Sequence, residues 1–489
     1  MTSPARHSSS TGQALISYWL ACSSLPGKQH GGIRHVALVI RSMLENSSLR
    51  ETESIDAPRN PNNEIHLMEF DDEGLLMAMT TSTLQYSQSA SHILTINGGS
   101  SSVKFAIFEG SDTLRRTLAG TIDRIGLSET TFEYYESLKN QRGGRTIDGV
   151  DFRAATNFLV QWLDEQVGLP TIDAVGHSVV HGMQHTAPEI VTQELLDELR
   201  RISACDPQHL PGEIELIEAF RERNPELTQV ACFDTLFHAG MPLVAKLLAI
   251  PRRFSNKGVH RYGFHGLSFA YLLQELARLG DVTATKGRVI LAHLGNGSSL
   301  AAVRDGKSID TSMGFTPAAG LPMGSRSGDL DPGLIGYLAR AEQMTAEQFD
   351  QMVNHESGLL GVSELSSDVR DLLAMEKDDI RAAETIALFC YQTKKWIGSF
   401  AAALGGLDTL VFAGGIGENS PAIRARICDG LQFLGIEIDE KCNGANENLI
   451  STAESGVAVR VVRTDEELMI ARQVRDILKK EVHAPQIVN

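Results

Sequence analysis

Three glycine-rich turns and a few isolated acids and cations hold the chemistry this chain can do. In NGGSSSVK, residues 97–104, Asn97, Ser100 and Ser102 offer side-chain donors and Lys104 a point charge. A turn without Cβ atoms lets backbone N–H groups close on phosphate oxygens. HLGNGSS repeats the design with His293 and Asn296, and GGIGEN, from Gly414, adds a third turn. None has the GxxxxGK[ST] spacing of a P-loop, and GGIGEN lacks the last glycine and the ribose-binding acid of a dinucleotide fingerprint. Singly, each reads equally well as an ordinary turn. Together they favour a nucleotide in a cleft.

Acids and a cation complete that chemistry. Asp234 follows the apolar run QVACF and Glu466 follows VAVRVV, so both sit where a strand end can offer a carboxylate to a cleft. Mg²⁺ needs only one or two protein carboxylates and fills its shell with water and phosphates. The plainer reading of either acid is a surface charge. Arg326, in LPMGSRSGDLDPG, has few apolar neighbours in sequence and could clamp a transferring phosphoryl group; the alternative is a loop-bracing ion pair with Asp329 or Asp331.

The segment VGHSVVHGMQH places His177, His181 and His185 four residues apart beside Ser178. A helix would make that a metal ladder. Val175, Val179 and Val180 with Gly182 argue instead for a strand running into a turn, which leaves zinc without a third ligand.

The elements that must position these residues are those of an α/β protein. ILTI and VKFAIF flank the first turn as a hairpin, and RVILAHLGNGSSLAAVRDGK is a second copy, so the pattern predicts a duplicated domain. Thr192 is expected to cap a helix that buries Leu195, Leu196, Leu199 and Ile202. TLVFAGGIGENSPAIRARI reads as strand, glycine turn, then a helix capped by Asn419 or Ser420 with Pro421 in its first turn.

Composition bounds the partners. The chain has 489 residues, 42% hydrophobic and 21% charged, enough for two or more domains. A formal charge of −17, from 44 basic and 61 acidic residues, disfavours nucleic acid or an anionic membrane as partner. The six cysteines (22, 205, 232, 390, 428 and 442) form no CxxC pair and read as reduced thiols of a cytoplasmic protein. The best apolar run, ALISYWLAC at 14–22, falls short of the roughly 20 residues that span a bilayer. Residues 1–90 read as a poorly ordered extension or as sequence ahead of a later start at Met77 or Met79.

Seven runs together resemble the acetate kinase family of short-chain carboxylate kinases: ILTINGGSSSVKFAIF, VACFDTLFH, RYGFHGLS, AHLGNGSSLAAV, DTSMGFTPAAGLPMGSRSGDLDPG, FAGGIGENSPAIR and RTDEELMIAR. The resemblance implies two duplicated actin-like, ribonuclease H-like ATPase domains with a cleft between them: 91–234 plus 468–489, and 235–467. It implies reversible, direct in-line transfer of the ATP γ-phosphoryl group to acetate with Mg²⁺ (or Mn²⁺), in a homodimer. By it, Asp234, His265 and Arg326 are catalytic, and Asn97 and Glu466 form the metal site. Lys104, His293, Leu294, Gly295, Asn296, Gly297, Asp368, Val369, Arg370, Gly415, Ile416, Gly417, Glu418 and Asn419 then meet the nucleotide.

Two positions depart from the family pattern. Its GHRVVHGG is GHSVVHGM here, which puts Ser178 where an arginine meets the carboxylate, and its LHNP is ACDP, which puts Cys205 in place of a histidine. A serine supplies neither charge nor a bidentate fork. Pocket size decides chain length, so one alternative is a propionate or butyrate kinase; Ser178 supports another, a catalytically weak nucleotide-binding paralogue with a regulatory role.

Overall fold

A computed structural model describes residues 91–483 apart from 100, 127–128, 149, 167–170 and 281–285. The expectations for residues 1–90, including Cys22, the run 14–22 and the later starts at Met77 and Met79, and the one for Ser100 lie outside the described residues.

Two sheets organise the chain. The first contains β1 (His92–Gly98), β2 (Val103–Glu109), β3 (Arg115–Asp123), β4 (Thr130–Glu136), β5 (Gln141–Ile147), β6 (Ala174–Val179), β7 (Glu189–Ile190) and β8 (Thr228–Phe233). Their order is β5-β4-β3-β2-β1-β6-β8-β7. The second contains β9 (Arg288–Leu294), β10 (Ser298–Arg304), β11 (Lys307–Thr311), β12 (Thr409–Ala413) and β13 (Ala458–Val461), in the order β11-β10-β9-β12-β13. In each, a hairpin strand pairs antiparallel on one side and parallel on the other: β1 with β2 and β6, β9 with β10 and β12. The run β3-β2-β1-β6-β8 is thus repeated as β11-β10-β9-β12-β13, which is the duplicated actin-like architecture.

Near-continuous apolar strands are required because both faces of each sheet are covered. In the first sheet Leu94, Ile96, Phe105, Ile107 and Val175 face α1 (Phe152–Gln166) and α3 (Leu210–Arg223) through Leu159, Leu163, Leu216 and Phe220. The alternate residues Ile93, Ala106, Phe108, Ala174 and Val230 meet the C-terminal helix α9 (Glu466–His483) through Ile470 and Val474. In the second sheet Ile290, Ala292, Leu410 and Phe412 pack on α6 (Ile380–Leu404) through Ile386, Phe389 and Phe400. One helix, α4 (Gly266–Arg278), serves both halves. Its Leu267 packs with the first sheet, and Phe269, Leu272 and Leu276 pack with Val289, Leu291 and Val411 of the second.

Helix ends follow local chemistry. Thr192 Oγ1 accepts from the N–H of Leu195 at the start of α2 (Gln193–Ile202), and Asp379 caps α6. The expectation for GGIGEN is corrected: it is a helical turn, α7 (Gly414–Asn419), followed by α8 (Pro421–Cys428). Ser420 takes the N-cap position of α8 but makes no side-chain cap bond, and Asn419 belongs to α7, where its Nδ2 donates to Gly415 O.

Candidate active site

The two hairpins supply the floor of a cavity of about 720 Å³ lined by Asn97, Lys104, His293, Gly295, Asn296, Gly297, Glu418 and Glu466. Asn97 and Lys104 are cross-strand partners in the first hairpin, so one register fixes both. Asn97 Nδ2 donates to Glu466 Oε2 at 2.8 Å, tying the first strand to the start of the last helix. Arg116 of β3, a residue sequence reasoning missed, faces the same cavity and pairs with Asp465.

Asp234 leaves the end of β8 and caps α4. Its Oδ2 accepts the His265 N–H at 2.6 Å and its Oδ1 the Leu267 N–H at 3.2 Å. Gly266 is required between them, because a Cβ there would lie 2.2 Å from the Asp234 carbonyl oxygen. The carboxylate lines a smaller, adjoining cavity yet is enclosed by protein. That burial, reinforced by Glu466, pushes its pKa up to about 7 against the pull of the backbone donors.

His265 turns the chain into α4 with a left-handed φ of 59°, a conformation a non-glycine residue holds only when its surroundings insist. The surroundings are a polar lattice. His265 Nδ1 lies 2.8 Å from Ser299 Oγ, and its ring stacks on His293 at 4.3 Å between centroids. Ser299 is in turn the cross-strand partner of His293, whose Nδ1 lies 2.8 Å from Ser268 Oγ. Burial lowers both imidazoles, His293 to about 4 and His265 well below its ordinary value, the latter helped by His293 and Arg326. Both rings are neutral near pH 7, so they act as hydrogen-bonding groups rather than fixed cations.

Arg326 reaches the same centre from the 321–332 loop. It pairs with neither Asp329 nor Asp331: Asp329 accepts from Gly320 N and Asp331 from Gly333 N. Its guanidinium instead lies 3.3 Å from His209 Nε2 and 3.4 Å from the Pro317 carbonyl. His209 Nδ1 is 2.9 Å from Asp206 Oδ1, which sets the tautomer that leaves Nε2 as an acceptor.

Behind Arg326 lies a smaller cavity of about 150 Å³ lined by Ser178, Val180, His209, Glu213, Asp234, Phe264, His265, Arg326 and Glu466. Ser178 lies at the end of β6, opposite Cys232 of β8, so the segment is a strand as its β-branched residues predict. The three histidines part company: His177 Nε2 donates to Gln229, His181 sits against Tyr262 and Phe264, and His185 pairs with Glu189. No group of three or more His, Cys, Asp or Glu among the described residues could hold a metal.

A second cavity of about 720 Å³ adjoins the first, sharing Gly295, Asn296 and Gly415. Asp368, Val369, Arg370, Ile416 and Asn419 line it, where α5 (Val369–Met375) meets α7 and α8. Asp368 both caps α5 and chelates the Arg370 guanidinium. Two sequence-expected residues line neither cavity: Leu294 is fully buried, and Gly417 packs on Phe412 and Ala292. Gly414 needs its positive φ of 75° because a Cβ would lie 2.6 Å from the Leu294 carbonyl. Glu418 Oε1 ties Gly414 N to Thr464 N, and the fully buried Arg424 donates to the carbonyls of Gly417 and Glu418. His209 and Glu213 carried no sequence signal, since they meet Arg326 and Val180 across 117 and 33 positions, and Arg424 was missed as well.

The profile of the Acetokinase family matches residues 92–472. The acetate kinase of Methylocella silvestris is 42% identical over 397 residues, 79% of this chain and 98% of that protein. That of Bacillus subtilis is 41% identical over 398 residues, 80% of this chain and all of its own. The crystal structure of Porphyromonas gingivalis acetate kinase is similar with a TM-score of 0.71 at 36% identity, covering 80% of this chain and 100% of that one. A Francisella tularensis propionate kinase gives 0.73 at 36% identity, covering 78% and 98%. The chain belongs to the acetokinase family, phosphotransferases whose acceptor is a carboxyl group.

Proposed function

We propose that this protein is an acetate kinase that transfers the ATP γ-phosphoryl group reversibly to acetate, and that Ser178 slows it. The observation that supports this most is the convergence of Asp234, His265, Arg326 and Glu466 on the small cavity, which shares His265, Arg326 and Glu466 with the larger one lined by the hairpin turns. ATP would lie with its base between α5 and α7 and its phosphates over the hairpin turns, near Lys104 and Asn296.

The donor set fits one Mg²⁺. Asn97 and Glu466 are joined by one hydrogen bond, and Asn97 Oδ1 and Glu466 Oε1 have no partner among the described residues. Asp234 is near enough for Glu466 to raise its pKa. Such an ion supplies charge neutralisation between nucleotide phosphates and acceptor.

The chain's own residues do the rest. The acceptor carboxylate is already ionised at pH 7 and needs no base. Asp234, fixed by two backbone donors, holds water or metal in place rather than taking a proton. Arg326 offers a cation with no anionic partner among the described residues, positioned for charge on the phosphoryl group in flight. His265, neutral and locked by Ser299, can donate or accept there without adding charge.

Ser178 leaves the acceptor without a second cation. A charge-assisted contact of about 2–4 kcal/mol corresponds to roughly a 30- to 1,000-fold loss. Trapping acyl phosphate as the hydroxamate tests both parts. Acetate-dependent, Mg²⁺-dependent hydroxamate is expected, and Ser178→Arg should raise kcat/KM for acetate at least tenfold. That floor is set low because Glu213, in the same cavity, can pair with the new arginine. Nucleotide binding without turnover on any short acid would sink the kinase reading. An unchanged rate in Ser178→Arg would remove Ser178 as the cause of a slow rate.

A further inference from the structure

The small cavity contains a group for which phosphoryl transfer to acetate has no use. Glu213, on α3, is only 4% exposed, yet its carboxyl lines the cavity beside Ser178. One oxygen, Oε2, accepts the Val180 N–H at 2.9 Å. Among the described residues the other oxygen has no partner and no cation faces Glu213 as an ion pair. A polar group on a pocket wall usually meets its partner in the ligand. An acetate methyl would meet Glu213 and the Ser178 hydroxyl with nothing to offer either.

We propose that the preferred acceptor is a small carboxylic acid with a hydroxyl on the carbon next to its carboxylate, the glycolate and lactate class, and that Glu213 and Ser178 receive that hydroxyl. This rests on the kinase reading and names its substrate class. The volume, about 150 Å³, is far below the 720 Å³ of the neighbouring cavity, which suits a small acid rather than a long-chain one. The chemistry selects a hydroxyl over an amine. Burial, with Asp206 and Asp234 nearby, holds the Glu213 carboxyl well above its ordinary range, which disfavours its ionised form. A neutral carboxyl pairs with a neutral hydroxyl as donor or acceptor, whereas an ammonium would demand its ionised form.

The step itself is unchanged. A carboxylate oxygen of the acid bonds to the γ-phosphorus, the bond from that phosphorus to the bridging oxygen breaks, and ADP keeps the electron pair. The hydroxyl keeps its proton and only positions the acid.

The test measures ADP release and hydroxamate formation by the full chain with acetate, propionate, glycolate, lactate and glycine. Glycolate or lactate should exceed acetate in kcat/KM by about 10- to 100-fold, the range for satisfying an otherwise unpaired buried partner. Glu213→Leu should cut the glycolate-to-acetate ratio by a similar factor, Ser178→Ala should lower it too should the leucine variant misfold, and Glu213→Gln, which can still pair with a hydroxyl, should largely keep it. Acetate matching or beating glycolate, or a preference for glycine, would overturn the assignment while leaving the kinase reading intact. ATP binding with no turnover of any acid would overturn both.

Discussion

Arg326→Ala separates catalysis from stability with unusual clarity, because the arginine is enclosed yet unpaired. Among the described residues its guanidinium has three long contacts, 3.3 Å to His209 Nε2, 3.4 Å to the Pro317 carbonyl and 3.8 Å to Met323 Sδ, and no carboxylate partner. Burial has already lowered its pKa from the ordinary arginine value, so the fold gains little from holding a charge there. Removing it breaks no hydrogen-bonded ion pair: Asp206 Oδ1 is still engaged by His209, and its Oδ2 has no hydrogen-bond partner with the arginine present. Unfolding free energy should therefore change by no more than about 1 kcal/mol, within the ordinary range for a substitution that breaks no buried pair. Activity should respond very differently. A cation about 4 Å from a developing anion contributes about 4 kcal/mol at an effective dielectric near 20, and loss of one such donor costs about 2.7–4 kcal/mol in known sites. At about 1.4 kcal/mol per decade, kcat/KM should fall roughly 100- to 1,000-fold. Arg326→Lys keeps the charge but not the planar fork, so its loss should be smaller. Hydroxamate kinetics with the best acceptor, beside urea unfolding of the same preparations, decide the matter. Retention of a tenth or more of wild-type kcat/KM in Arg326→Ala would refute the clamp, and a large loss of stability would refute the claim that its charge is unpaired.

Two further outcomes follow from the buried groups. Asp234→Asn keeps the shape but not the charge, so Mg²⁺-dependent turnover should be abolished while ATP binding, followed by calorimetry, survives; near-normal turnover would show that the carboxylate charge is dispensable. Stability should fall as pH drops from about 6.5 towards 4. His177, His181, His238 and His293 are each lowered to about 4. An unfolded chain takes up those protons near the ordinary histidine pKa of about 6.5 while the fold refuses them, so each group costs up to about 1.4 kcal/mol per pH unit in that window. The raised acids Asp234, Glu213, Asp310 and Glu467 act in the opposite sense and soften the slope. Thermal unfolding at pH 7.5 and 5.0 measures the balance, and a melting temperature that rose on acidification would contradict it.

What the sequence determined by itself were features written in short stretches. Apolar runs around NGGSSS and GNGSS dictate two hairpins, because alternation and turn residues are local; β-branched residues made 174–179 a strand; Thr192 capped its helix. The family runs likewise located Asn97, Asp234, His265, Arg326 and Glu466, which the fold brings to adjoining cavities. The glycine turn at 414–419 misled because a helical turn and a glycine loop look alike until the buried Arg424, from the following helix, binds its carbonyls. Only the tertiary structure decided the environment of each group. His209 faces Arg326 across 117 positions, and Glu213 meets Val180 across 33, so neither pairing leaves a trace in local spacing. Ser178 shows the division most plainly. Sequence could register the arginine it lacks, but burial and packing placed a carboxyl beside it, because which side chains share a cavity is settled by strand order and helix docking.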